Sequence, residues 1–149
     1  HRTNVWGVLQ LKNDAFEMRN IEGTSLYALE ENFILWRYQY ELYKLPIRGR
    51  KKRRAATVTL SWSWMPPSHK VTVDCEDPIT VESAWPNTFH FQRGGESIAT
   101  LSKSVAAAWG LARGGGFTLQ VEAGQDVVFL TAVALALVRM LVEYHRKKS

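Results

Sequence analysis

A chain of 149 residues with 46% hydrophobic and 22% charged side chains is not composed like a disordered segment, and it is long enough to bury one sizeable core as a single domain over residues 1–149. Its formal charge of +5 favours acidic partners, whether nucleic acid, anionic lipid or an acidic protein face, without choosing among them. The single cysteine, Cys75, excludes an internal disulfide and a cysteine-based metal site and points to a reducing, intracellular compartment.

His1 opens a segment that alternates, unlike the apolar block of a secretory signal. Val5 to Leu11 is expected to be a strand, followed by the polar turn Lys12-Asn13-Asp14. Ala15 to Arg19 is a second strand, ending at the turn signal Asn20-Ile21-Glu22-Gly23, and Thr24 to Glu30 a third. From Phe33 to Leu45 the even positions Ile34, Trp36, Tyr38, Tyr40 and Leu42 are apolar or aromatic, while Arg37, Gln39 and Glu41 are polar. Period-two alternation of this length predicts a strand with one buried face. Pro46 closes it.

Strand signals resume at Ala55 to Trp64, with Val58, Leu60, Trp62 and Trp64 on one face. They continue at His69 to Asp74, Ile79 to Trp85, Thr88 to Gln92, Glu96 to Lys103 and Phe117 to Val121. Between them Met65-Pro66-Pro67-Ser68, Asp77-Pro78, Pro86-Asn87 and Arg93-Gly94-Gly95 mark turns. Ser104 to Gly116, ending in three glycines, is expected to be a loop. Strands about ten residues apart predict an all-β barrel or sandwich.

The chain from Asp126 to Lys147 breaks this pattern. Only Thr131 and Arg139 interrupt the hydrophobic residues from Val127 to Val142, and a helix apolar all round must be surrounded by a core or a bilayer. At 1.5 Å per residue that apolar stretch spans about 24 Å, short for a bilayer and close to the height of a small barrel. Asp126 is placed to cap the helix by accepting from the amide of Val128 or Phe129. Ala132, Ala134 and Ala136 leave room for strands to approach.

Three features in order carry a resemblance. They are Ile98-Ala99-Thr100-Leu101-Ser102-Lys103 followed by Trp109-Gly110, then Phe117-Thr118-Leu119-Gln120-Val121, then Gly124-Gln125-Asp126 opening an apolar helix that ends Leu137-Val138-Arg139-Met140-Leu141. With Ile79-Thr80-Val81-Glu82 and Phe89-His90-Phe91 upstream, the chain from about Trp6 to Tyr144 resembles the tubby C-terminal-like superfamily. The resemblance is to its LURP-one-related branch in particular, with phospholipid scramblases more distant. It implies a mainly β fold: a closed antiparallel β-barrel of about twelve strands around a buried hydrophobic C-terminal helix. Tubby-type domains bind phosphoinositide headgroups, and scramblase-like members are tied to lipid membranes. No match to tubby's lipid-ligating positions is present, so no ligand residue is carried over. Near the helix only Glu122 and Asp126 are acidic, which is not the cluster associated with calcium in scramblases.

From the residues themselves, the sharpest candidate site is the basic run Arg48, Arg50, Lys51, Lys52, Arg53 and Arg54, interrupted by Gly49 and lying between two strand signals. Such a loop suits phosphate groups, by charge and by the bidentate hydrogen bonds of arginine. Its partners are expected to be anionic phospholipid headgroups, with RNA backbone a use of the same residues. A solvated hairpin tip is the plain alternative. Trp36, Tyr38, Tyr40, Trp62 and Trp64 are expected to be core or cross-strand pairs instead of a stacking platform.

Catalytic patterns are thin. His69, His90 and His145 are dispersed without metal-ligand spacing, Cys75 has no evident base, and Gly114-Gly115-Gly116 lacks the lysine and hydroxyl of a phosphate-cradling loop. The expectation is a non-catalytic binding or scaffolding module with no cofactor, no metal and no small-molecule substrate. The alternative is an accessory structural subunit of a larger protein or ribonucleoprotein assembly.

Overall fold

The computed structural model describes residues 5–11, 15–34, 37–46, 53–62, 69–84, 88–103 and 117–148. Among these, ten strands precede one helix: β1 (Val5–Leu11), β2 (Ala15–Asn20), β3 (Ser25–Ile34), β4 (Arg37–Lys44), β5 (Arg54–Trp62), β6 (His69–Asp74), β7 (Ile79–Ala84), β8 (Thr88–Arg93), β9 (Glu96–Lys103), β10 (Phe117–Val121) and α1 (Val127–Lys148). Every strand pairs antiparallel with its neighbours in sequence, giving one sheet in the order β1 to β10. Among the described residues no ladder joins β1 to β10, and the strands number ten, not the twelve or so that the resemblance implies.

The register explains the alternation. Leu29 faces Leu42, which faces Ala56; Tyr40 faces Val58, which faces Val73, which faces Ile79. All seven are buried. A second buried row runs Tyr38, Leu60, Val71, Val81, Phe91 and Ala99 across six strands. Because successive side chains of a strand point to opposite faces, one residue in two lines this core.

One boundary differs from the sequence expectation. β3 continues to Ile34 and β4 begins at Arg37, with Ile34 paired to Arg37, so Phe33 and Ile34 belong to the earlier strand. Two apolar residues at the end of one strand preceded the alternating run of the next, and pattern alone fused them. Trp36 and Trp64 lie outside the described residues. Tyr38 and Tyr40 are core, each 1% exposed.

α1 holds Ala132, Val133, Ala136, Leu137 and Met140 at zero exposure, and Leu130 and Ala134 are also buried. Val127, Val128, Phe129, Leu135 and Val138 are half-buried, so the described part of the helix is not sealed equally all round. The helix touches β3, β4, β5 and β10. Five strand steps separate β5 from β10. At about 4.8 Å each they would span roughly 24 Å in a flat sheet, within the roughly 33 Å length of the 22-residue helix. The fully buried alanines let strands approach its backbone closely.

Met18 and Leu137 are therefore packing residues with no space to relax into. Leu137→Ala is expected to lower unfolding free energy by about 2–5 kcal/mol, read by chemical denaturation. A loss below about 1 kcal/mol would show that the helix is not packed as described.

Candidate functional site

An up-and-down sheet sends its connections alternately to its two ends. The β2–β3, β4–β5, β6–β7 and β8–β9 connections, and the segment from β10 to α1, all fall at one end. Several of them are tied together there. The Arg93 guanidinium donates through Nε to the Asp77 carbonyl (3.2 Å) and through Nη1 to Gln125 Oε1 (3.4 Å). This joins the β6–β7 turn to the approach to the helix. The Glu122 amide donates to the Ile98 carbonyl, and the Leu45 amide to the Leu26 carbonyl, both at 3.0 Å. Gly94 and Gly95 have φ of 59° and 83°, as the tight β8–β9 hairpin requires.

The helix start is fixed at the same end. Asp126 Oδ1 accepts the Phe129 amide at 3.0 Å, the cap expected from sequence. Tyr27, 4% exposed, lies 6.3 Å from the Phe129 ring, the two planes tilted by 56°. Burial, reinforced by the Asp126 carboxylate, pushes its phenol up to about 12. Farther along the helix Arg139 lies 4.7 Å over the ring of Phe16, a cation–π contact that accommodates the one charge in the apolar run.

Of the basic run, Arg48, Arg50, Lys51 and Lys52 lie outside the described residues. Arg53 and Arg54 are exposed, Arg53 just before β5 and Arg54 as its first residue. Arg54 lies 3.5 Å from Glu41, whose carboxylate also accepts the Tyr43 hydroxyl at 2.7 Å. That hydrogen bond, then burial, pushes the Tyr43 phenol up to about 12. With Arg54 more than half exposed, the ion pair contributes about 0–1 kcal/mol.

The two halves of this end differ in charge. The β2–β5 half carries Arg19, Lys44, Arg53 and Arg54, together with Glu17, Glu22 and Glu41. Arg19 and Glu17 form a 3.8 Å pair. The basic run connects Pro46 to Arg53 on this half. The β6–β10 half exposes Asp74, Glu76, Asp77, Glu96, Glu122 and Asp126, with Arg93 among them. At the tip of the β2–β3 turn stands Ile21, 63% exposed and the only exposed large hydrophobic among the residues whose side-chain burial is described. Sequence reasoning placed Ile21 in a turn and gave Arg19 and Lys44 no role. The alternation of connections between two ends brings Ile21 and Arg19 to the end of the sheet where Lys44, Pro46 and Arg53 lie.

The dispersed histidines stay apart in the ladder, His69 opening β6 and His90 pairing with Glu82 and Thr100. Cys75 donates to the Asp77 carbonyl at 3.0 Å. Burial pushes its thiol up, against the opposing pull of Arg93 and the Asp77 hydrogen bond. Gly114, Gly115, Gly116 and the side chain of His145 lie outside the description. Among the described residues no three His, Cys, Asp or Glu are grouped to hold a metal ion, and no helix is long and apolar enough to cross a membrane.

A family model described as LURP-one-related matches residues 6–138, which takes in the whole sheet except the first residue of β1 and more than half of α1. No curated protein and no solved structure matches the chain.

Two outcomes follow from the helix start. Asp126→Ala is expected to lower stability by about 1 kcal/mol through loss of the cap, measured by denaturant titration; no change would mean the amide of Phe129 finds equal satisfaction elsewhere. The Tyr27 phenol is raised above its ordinary 10.0, so its contribution is whole below pH 10 and is lost as pH rises toward about 12. Tyr27→Phe should therefore flatten the fall of Tm over that window relative to wild type, and parallel curves would contradict the assignment.

Proposed function

The chain belongs to the LURP-one-related family, and from that premise we propose that it is a non-catalytic binding module that docks to anionic phospholipid headgroups at the surface of an intracellular membrane. What supports this reading is the basic run and the described residues that flank it. In sequence it falls between the described residues Pro46 and Arg53, which lie at the same end of the sheet as Arg19, Lys44 and Arg54. A basic residue near an anionic surface contributes about 1 kcal/mol, so a cluster of this size suffices for reversible association. Arginines add directional hydrogen bonds to phosphate oxygens.

The sheet in this reading closes on itself, β1 reaching β10 around the helix. In this reading α1, in contact with β3, β4, β5 and β10, lies inside the closed sheet. A closed sheet leaves no edge to pair with another chain, which suits a module that presents only its loops.

Vesicle flotation tests the reading. Wild type is expected to float with acidic or phosphoinositide-containing vesicles at physiological salt and to be released as salt rises. Changing Arg50, Lys51, Lys52 and Arg53 together to Ala should abolish flotation without lowering Tm. A wild type that ignores acidic vesicles refutes membrane docking, and co-purification in one large stoichiometric particle would instead identify an accessory subunit.

A further inference from the structure

The β2–β3 turn is built to hold an apolar side chain in water. Asn20 Oδ1 accepts the amides of Glu22 (3.0 Å) and Thr24 (2.9 Å). Its backbone closes the turn twice, with the Gly23 amide donating to the Asn20 carbonyl and the Asn20 amide to the Thr24 carbonyl, each at 3.0 Å. Gly23 takes a φ of 85°, which lets the chain reverse there. Four hydrogen bonds thus fix a tip whose outermost large side chain is Ile21, 63% exposed. Exposing an aliphatic side chain stabilises nothing in the folded chain. No other large hydrophobic is exposed among the residues whose side-chain burial is described.

Cations lie at the same end of the sheet as the tip. Lys44 is paired across the ladder with Tyr27, and the next residue, Leu45, bonds to Leu26. The end of β4 is therefore held against the start of β3, immediately after the tip. Lys44 and Arg53 are exposed on this half, while the exposed acids Asp74, Glu76, Asp77, Glu96, Glu122 and Asp126 gather on the other. Glu22 is the one carboxylate on the tip itself.

We propose that Ile21 is an insertion residue. The β2–β5 corner meets an anionic bilayer with Lys44 and Arg53 at the phosphate level and Ile21 entering the boundary between headgroups and acyl chains, while the acidic half is tilted away from the surface. This rests on the membrane-docking reading above and adds to it a bilayer in place of a soluble headgroup, a single apolar anchor and an orientation. Charge brings the corner to the surface, and apolar burial slows its departure. An isoleucine has no planar face on which a base could stack, so the same corner offers single-stranded nucleic acid charge alone.

The experiment measures partitioning of the full chain onto phosphatidylcholine vesicles with and without phosphatidylserine, alongside binding of a soluble inositol phosphate. The variants are Ile21→Ser, Ile21→Trp and the pair Lys44→Ala, Arg53→Ala. Ile21→Ser should weaken partitioning onto acidic vesicles about five- to tenfold while leaving inositol phosphate binding and Tm unchanged. Ile21→Trp should partition at least as tightly as wild type, because tryptophan favours the interface. If wild type partitions, the cation pair is impaired and Ile21→Ser equals wild type, insertion is refuted and docking by charge stands. If wild type ignores acidic vesicles, both readings fall together.

Discussion

A helix with an apolar circumference and strands that each bury one face satisfy one another. The constraint underneath is that nonpolar area must leave water, and neither element can achieve this alone. α1 carries fully buried Ala132, Val133, Ala136, Leu137 and Met140, while the sheet supplies Met18, Leu42, Val58 and Phe91 at the same zero exposure. The small residues decide how closely strands come. The large ones from the strands fill what the alanines leave open, as close packing demands.

One face of the strands and much of the helix are taken up by the core. The up-and-down order puts five connections at one end, and the bonds of Arg93, Leu45 and Glu122 make that end a braced surface. The division of charge across it gives the molecule a direction. Such a polarity acts on orientation at a charged surface even where the net charge is modest.

The strand pattern was legible because alternation is a local property: every one of the ten strands read from the residues has a counterpart, from Val5–Leu11 to Phe117–Val121. The capping role of Asp126 was legible for the same reason, since a cap is made within four residues. The junction near Ile34 was misjudged because parity does not reveal where a chain reverses. The basic run announced itself by composition, but the company of Ile21, Lys44 and Arg19 did not, since it follows from which end each hairpin turn occupies. The distinction between Leu137, wholly enclosed, and Leu135, half-buried, needed the neighbours in space.

Every ladder in the sheet joins strands adjacent in sequence, yet the element that covers their common face comes after all of them. During synthesis the hairpins form in turn from short-range contacts, which is fast. Their inner face, lined by Tyr38, Tyr40, Val58, Leu60 and Phe91, then waits on the ribosome without its filling. The interval between the emergence of Val121 and the docking of α1 is when the chain most resembles an open, sticky trough. A ribosome pausing there would expose a nearly finished sheet to its neighbours. The last segment of the fold thereby governs whether all the earlier ones stay soluble.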